Sequence, residues 1–267
     1  MILTAAGIVL ILVAMTYASN IMNQKLAENE FSSSKSFMQT TAKQMDDIAW
    51  TIGRTQTVTF SNHFGNIKFQ DLTLTYTFSV HTSAGWETLP LDCSTGVVLY
   101  NMPIDVYQRG NGYFERVPLT ANNSFLLSDA SAPVGQVFCE EKLSMTDGGY
   151  LRVVLTPTMR VLTSTIVGTQ NSSYFKFYLP SLQNGTSPYL TQSLTLTGEG
   201  ITKLSRSGVD QVAITVGFPR AASGFDSSFF NFKSTTITLN STSTPKLSPN
   251  SIAEFYVGKV QVSIGAT

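Results

Sequence analysis

MILTAAGIVLILVAMTYA, residues Met1 to Ala18, contains no charged side chain. Eighteen helical residues span roughly 27 Å, close to the hydrocarbon thickness of a bilayer. Thr4 and Thr16 suit such a helix, because a hydroxyl can donate to the carbonyl one turn back. Gly7 and the alanines leave room for close helix–helix approach. A secretory signal peptide predicts a basic region before the apolar run and a small-residue cleavage site after it. Here no Lys or Arg precedes the run, the first basic residue is Lys25, and no turn or cleavage signal follows. An ordinary single-span anchor also carries flanking positive charge. We therefore expect that a basic leader has been removed and that Met1 is a mature N-terminus.

The helical pattern continues past Ala18. From Asn20 to Ile52 there is no proline or glycine, and Phe31, Met38, Met45 and Ile52 recur every seven residues. Thr41 and Ile48 sit three after members of that series, and Ala42 and Ala49 four after, giving one apolar stripe on a polar helix. Gly53 reads as the C-cap, followed by Arg54 and strand-like sequence. A helix of about 52 residues is roughly 78 Å long, too long for its own globular head to cover. The stripe from Phe31 to Ile52 has two readings: packing on the head, or packing on other chains. The run from Met1 to Ala18 has two as well: a plain membrane anchor, or a segment buried among partners.

Residues 55–267 read as strands separated by turn chemistry. In Phe69–Val80, the residues Leu72, Leu74, Tyr76, Phe78 and Val80 alternate with Thr73, Thr75, Thr77 and Ser79, as a half-buried strand requires. Val212, Ile214, Val216 and Phe218 repeat the pattern, as do Phe175, Phe177 and Leu179. Phe255 and Val257 lie in one phase and Val260, Val262 and Ile264 in the other, so Gly258 predicts a bulge. The expected fold class is α+β: a long N-terminal helix, 1–54 (apolar 1–18, amphipathic 20–53), then an all-β, sandwich-type head of one or two subdomains. Gly168–Ser173 is a candidate boundary, and Ser241–Ser251 a long surface loop.

Seventeen basic residues balance seventeen acidic ones, leaving no electrostatic footprint for nucleic acid or anionic lipid. Charged residues are only 13%, and Ser plus Thr about a quarter, of the chain. Two cysteines, Cys93 and Cys139, permit one disulfide. On a surface protein they predict a bridge closing a loop of roughly 45 residues, worth on the order of 3–4 kcal/mol. Four N-x-S/T sequons, at Asn122, Asn171, Asn184 and Asn240, lie in polar, turn-like stretches and are candidate N-glycosylation sites.

The chain has no G-x-S-x-G, Walker loop, dinucleotide fingerprint or H-E-x-x-H. No catalytic residues, cofactor or metal site is expected. His63 and His81 read as solvated or packed. Asp46–Asp47 and Glu140–Glu141 read as solvated acidic pairs, because no loop spaces oxygen ligands for calcium. Trp50 and Trp86 read as packing residues before sugar platforms.

A charge-free N-terminal helix running into an amphipathic one and then a β head resembles a type IV pilin, more specifically an archaeal one. Met1–Ala18 and Asn20–Gly53 carry the resemblance. Bacterial members have a glutamate just inside the mature N-terminus; here the matching residue is Ala5, with no acid before Glu28, which fits archaeal adhesion pilins and archaellins. The resemblance implies a non-enzymatic structural subunit of an extracellular, cell-surface filament. Its helices insert transiently in the membrane and then bundle with many copies of themselves, with no nucleic acid. The implied core positions are Ile2, Leu3, Ile8, Leu10, Ile11, Val13, Met15, Met22, Leu26, Phe31, Met38, Met45 and Ile52. Cell adhesion is the implied use. The alternatives are an archaellin of a motility filament and, from another class, a monomeric membrane-anchored β-rich protein that binds a ligand or sugar.

Overall fold

A computed structural model of the chain describes residues 2–117, 124–142, 149–166, 172–186 and 191–265. Its elements are α1 (Ile2–Ala49), β1 (Thr55–Thr59), β2 (Asn66–Thr82), β3 (Gly85–Thr88), β4 (Ser94–Pro103), β5 (Phe114–Val117), β6 (Leu126–Leu127), β7 (Gly135–Lys142), β8 (Tyr150–Pro157), β9 (Met159–Ile166), β10 (Ser172–Asn184), β11 (Ser193–Val209), β12 (Gln211–Gly217), α2 (Ser227–Phe230), β13 (Thr236–Leu239) and β14 (Ser251–Ile264). The α+β class holds: one long N-terminal helix, then a head built of sheets.

The strands form a six-stranded sheet, β1-β11-β14-β10-β9-β6, and an eight-stranded sheet, β13-β12-β2-β4-β8-β7-β5 with β3 on β2. The chain passes repeatedly between the sheets, so neither belongs to one contiguous half. The candidate boundary at Gly168–Ser173 is not one. Its residues 168–171 lie outside the described ones, but the flanking strands β9 and β10 pair with each other in one sheet. The loop at 241–250 is present between β13 and β14.

Alternation places the first core between the sheets. Tyr76 and Phe78 of β2, Ile214 of β12, Phe177 of β10 and Phe255 of β14 are all buried there. Phe177 stacks on Phe255 with ring centroids 4.8 Å apart, a parallel cross-strand neighbour since the two are in register. The short turn α2 adds Phe229 and Phe230 to this core, capped by Asp226, whose Oδ1 accepts from the Ser228 and Phe229 amides.

Two strand expectations need correction. Leu72 does not share the face of Leu74: β2 advances four residues, Gln70 to Leu74, while β4 advances two, Val97 to Thr95. Leu72 bulges out at φ +45 and is half exposed, and Thr73 is buried instead. The bulge expected at Gly258 lies on the partner strand, between Gly198 and Gly200 of β11. Phe255 and Val257 face the core between the sheets, and Val260 and Val262 face the helix. The phase change is therefore one strand burying opposite faces in its two halves.

The expected disulfide is absent. Cys93 and Cys139 are free thiols. Cys93 packs in the core between the sheets and Cys139 in the cluster beneath α1, so the sheet keeps the two sulfurs apart. Burial pushes both thiols up to about 12, which leaves them unreactive as nucleophiles.

Candidate functional site: an apolar helix without a partner in its own chain

The second half of α1 lies against both sheets, touching β7 and β8 on one side and β11 and β14 on the other. Ala27, Phe31, Ser34, Met38, Thr41, Met45 and Ile48 are buried at the steps of three and four that one helix face imposes. Glycines set the depth of this docking. A Cβ on Gly258 would collide with the Ala49 carbonyl, and one on Gly198 with the Ile48 and Thr51 carbonyls. The helix end thus rests directly on sheet backbone, which gives Gly258 its reason. The helix stops at Ala49, three residues before the expected last helical residue, Ile52. Gly53 then serves the turn, at φ +78, and its amide donates to the Gly198 carbonyl at 2.8 Å.

Three charged side chains fasten the docked half. The Glu30 carboxylate accepts the amides of His63, Phe64 and Gly65 at 2.9–3.2 Å and the Tyr100 hydroxyl at 2.8 Å. Burial alone would raise its pKa, but the hydrogen bonds from Gly65, His63, Tyr100 and Phe64 outweigh that and hold it below the usual carboxylate value. Lys35 meets Glu115 of β5 at 3.0 Å. Asp46 takes both terminal nitrogens of Arg160, at 2.8 and 3.1 Å, and the Trp50 indole N–H at 2.9 Å. Of these, only Asp46 and Trp50 had drawn attention in the sequence. Glu30 and Lys35 had no local signal, because their partners are 33 to 80 residues away.

The first half is different. Every residue from Gly7 to Leu26 is exposed. Leu10 is 72% exposed and Met15 65%, and Ile8, Ile11, Val13, Met22 and Leu26 are exposed as well. Ile2 and Leu3 belong to α1, and their side chains lie outside the described ones. The helix is long and apolar enough to cross a membrane. Thr16 donates to the Leu12 carbonyl at 2.9 Å, as expected for a hydroxyl on such a segment. Burying an aliphatic side chain of this size is worth about 1.5–3 kcal/mol. Seven such side chains from Ile8 to Met15 therefore leave on the order of 10 kcal/mol unclaimed.

The expected filament-core set therefore divides. Phe31, Met38 and Met45 are corrected: they are buried in the protein's own core and are not free for another chain. Ile52 is 67% exposed but lies beyond the helix end, in the turn to β1, so it does not extend the stripe. Ile8, Leu10, Ile11, Val13, Met15, Met22 and Leu26 stand clear of the head.

Other sequence candidates separate cleanly. Glu140 and Glu141 are not a solvated pair; both are buried. Glu141 accepts the Arg109 and Gly110 amides. Glu140 is pushed up to about 7 by burial, which Lys142 at 3.4 Å only partly offsets. His63 is exposed beside Phe64, and His81 meets Asp210 at 2.7 Å. Trp50 packs edge-on to Tyr178, whereas Trp86 is 53% exposed on the β3 hairpin, contrary to the packing expectation. Asn184 is exposed at the end of a strand, and Asn240 follows β13 with its Oδ1 accepting from the Thr242 amide. Asn122 and Asn171 lie outside the described residues. Among the described residues, no three His, Cys, Asp or Glu side chains gather as a metal site.

No protein-family model, curated protein or solved structure matches the chain. The reading of its function rests on the geometry of α1.

Proposed function

We propose that this chain is the structural subunit of an extracellular filament of the type IV pilus kind, held together by a bundle of its own N-terminal helices and used for surface attachment. One observation carries this reading: twenty consecutive helical residues, Gly7 to Leu26, project from a well-packed head with every side exposed, and the first eighteen, Gly7 to Gln24, carry no charge. Apolar surface of that extent needs an apolar environment. A bilayer supplies one before assembly, and sister helices supply one afterwards. Contacts repeated head to tail along an axis generate an open helical polymer instead of a closed oligomer.

Electron microscopy of material sheared from the cell surface tests the reading. Filaments of uniform width containing this chain are the expected result. A chain that stays with membranes and dissolves in mild detergent as monomers would show the helix to be a plain anchor, a role its membrane-spanning length also permits. Loss of swimming on deletion, with attachment intact, would move the proposal to a motility filament.

A further inference from the structure

The β3 hairpin strand buries nothing. Gly85, Trp86, Glu87 and Thr88 all stand at least partly in solvent, and Trp86 is 53% exposed. Yet the strand is tied down on both sides. Arg206 of β11 grips the Glu87 carboxylate with its Nε at 3.2 Å and a terminal nitrogen at 2.8 Å. His81 of β2 is the register partner of Trp86, and the two rings meet at 63° with centroids 5.2 Å apart. His81 is held in turn by Asp210, whose carboxylate lies 2.7 Å from its Nδ1. An indole that adds little to the core is thus fastened at the surface.

The surface beside Trp86 is a grid of small hydroxyls. On β2, Thr77, Ser79 and His81 alternate with the buried Tyr76, Phe78 and Val80, so they share the face turned away from the core between the sheets. Register places Thr77, Thr215 of β12 and Thr236 of β13 in one cross-strand row. Thr88, Ser79, Ala213 and Thr238 form the next row. Trp86, His81 and Gln211 form the third. Hydroxyls pair across the strands, Thr215 with Thr236 at 3.2 Å and Ser79 with Thr88 at 3.1 Å. The grid spans about 14 Å across four strands. Its rows hold no lysine, arginine, aspartate or glutamate. α1 lies toward the other edge of this sheet, on β7 and β8, and the threonines of the grid are exposed.

We infer that this face binds a neutral polysaccharide, with Trp86 as the stacking platform and the hydroxyl grid as its hydrogen-bonding bed. A pyranose ring carries apolar C–H faces and a rim of hydroxyls. The indole takes a C–H face out of water. Each Ser or Thr hydroxyl both donates and accepts, as a sugar hydroxyl does. A nucleic acid needs cations for its phosphates, and the grid has no lysine or arginine. The core of a protein interface is poor in serine and alanine and draws on several aromatic anchors, whereas a single indole stands here. Such binding would serve the surface attachment proposed above and rests on that reading for its biological use alone; the site lies in the head, whatever α1 packs against.

The test is retention of the full-length chain, both as sheared polymer and as single chains in mild detergent. The probes are insoluble cellulose and chitin, with sulfated dextran beads as the charged control. The parent should be retained on a neutral polysaccharide, and Trp86→Ala should lower that retention about tenfold. Trp86→Tyr keeps an aromatic face and should restore most of it. Thr215→Val keeps the shape without the hydroxyl and should cost about threefold. Thermal unfolding of the head should be unmoved in all three, because both positions are exposed. No retention on either neutral polysaccharide, equal retention of Trp86→Ala, or stronger retention on the sulfated beads overturns the sugar site. Retention of dispersed chains from material that forms no filaments overturns the filament reading and leaves the sugar site standing.

Discussion

Residues Gly7–Leu26 and Ala27–Ala49 form one continuous helix, yet they answer to different surroundings. The docked half shows a narrow apolar stripe with polar residues elsewhere, and every large member of the stripe is buried on the head. The projecting half is apolar on all sides up to Ala18, and none of it is buried. The width of the apolar surface records how many sides of a helix are to be covered. A stripe needs one neighbour; an apolar cylinder needs a ring of them, or lipid. The polar fasteners follow the same division. Glu30, Lys35 and Asp46 reach specific atoms of the head, whereas the ion pair across the junction of the two halves, Lys25–Glu28, is local to the helix and exposed.

The largest effect expected from breaking this contrast is on assembly. Leu10→Asp or Val13→Asp should abolish filaments while the thermal unfolding of the head is unchanged, because the carboxylate is desolvated only in the bundle. Normal filaments from either variant would sink the idea that this half is buried among copies. Next comes the docked half. Met38 is fully buried, so Met38→Ala should cost about 2–5 kcal/mol of head stability in urea titration. Met22→Ala, on the projecting half, should stay within about 0.5 kcal/mol. Equal costs would show that the halves are not distinct.

Glycines sharpen the same contrast at smaller scale. Gly258→Ala drives a methyl into the helix-end carbonyl and should destabilise the head by about 1–3 kcal/mol. Gly7→Ala meets nothing within 4 Å in the single chain and should leave head unfolding unmoved. The smallest effect is in pH dependence. The Glu30 carboxyl is held below its ordinary value of 4.5, so its contribution is complete above that value and is lost as pH falls through the lower, folded value. Glu30→Gln should therefore remove part of the acid-induced loss of stability below pH 4.5. Glu140 runs the other way. Its folded value is raised from 4.5 to about 7, so the native state binds the extra proton and stability falls as pH rises across that window. Glu140→Gln should flatten the slope between pH 4.5 and 7 and leave the acid limb alone. A slope that persists in Glu140→Gln would assign it to another group.

The amino-acid sequence by itself determined that a helix runs through most of the first fifty residues, that its first third is uniformly apolar, and that strands follow. Each of these is encoded locally: a run without charge, a period of three to four, and a period of two in Leu74–Val80 and Val212–Val216. Only the tertiary structure decided which part of the helix is spent on the protein's own core, ending the helix at Ala49 against the backbone of Gly198 and Gly258. It also separated Cys93 from Cys139, buried Glu140 and Glu141, and displaced Leu72 from its strand face. These outcomes depend on which surfaces meet across tens of residues of chain, and composition and periodicity carry no record of that meeting. A periodic stripe says that a face will be covered, while the identity of what covers it belongs to the assembled fold.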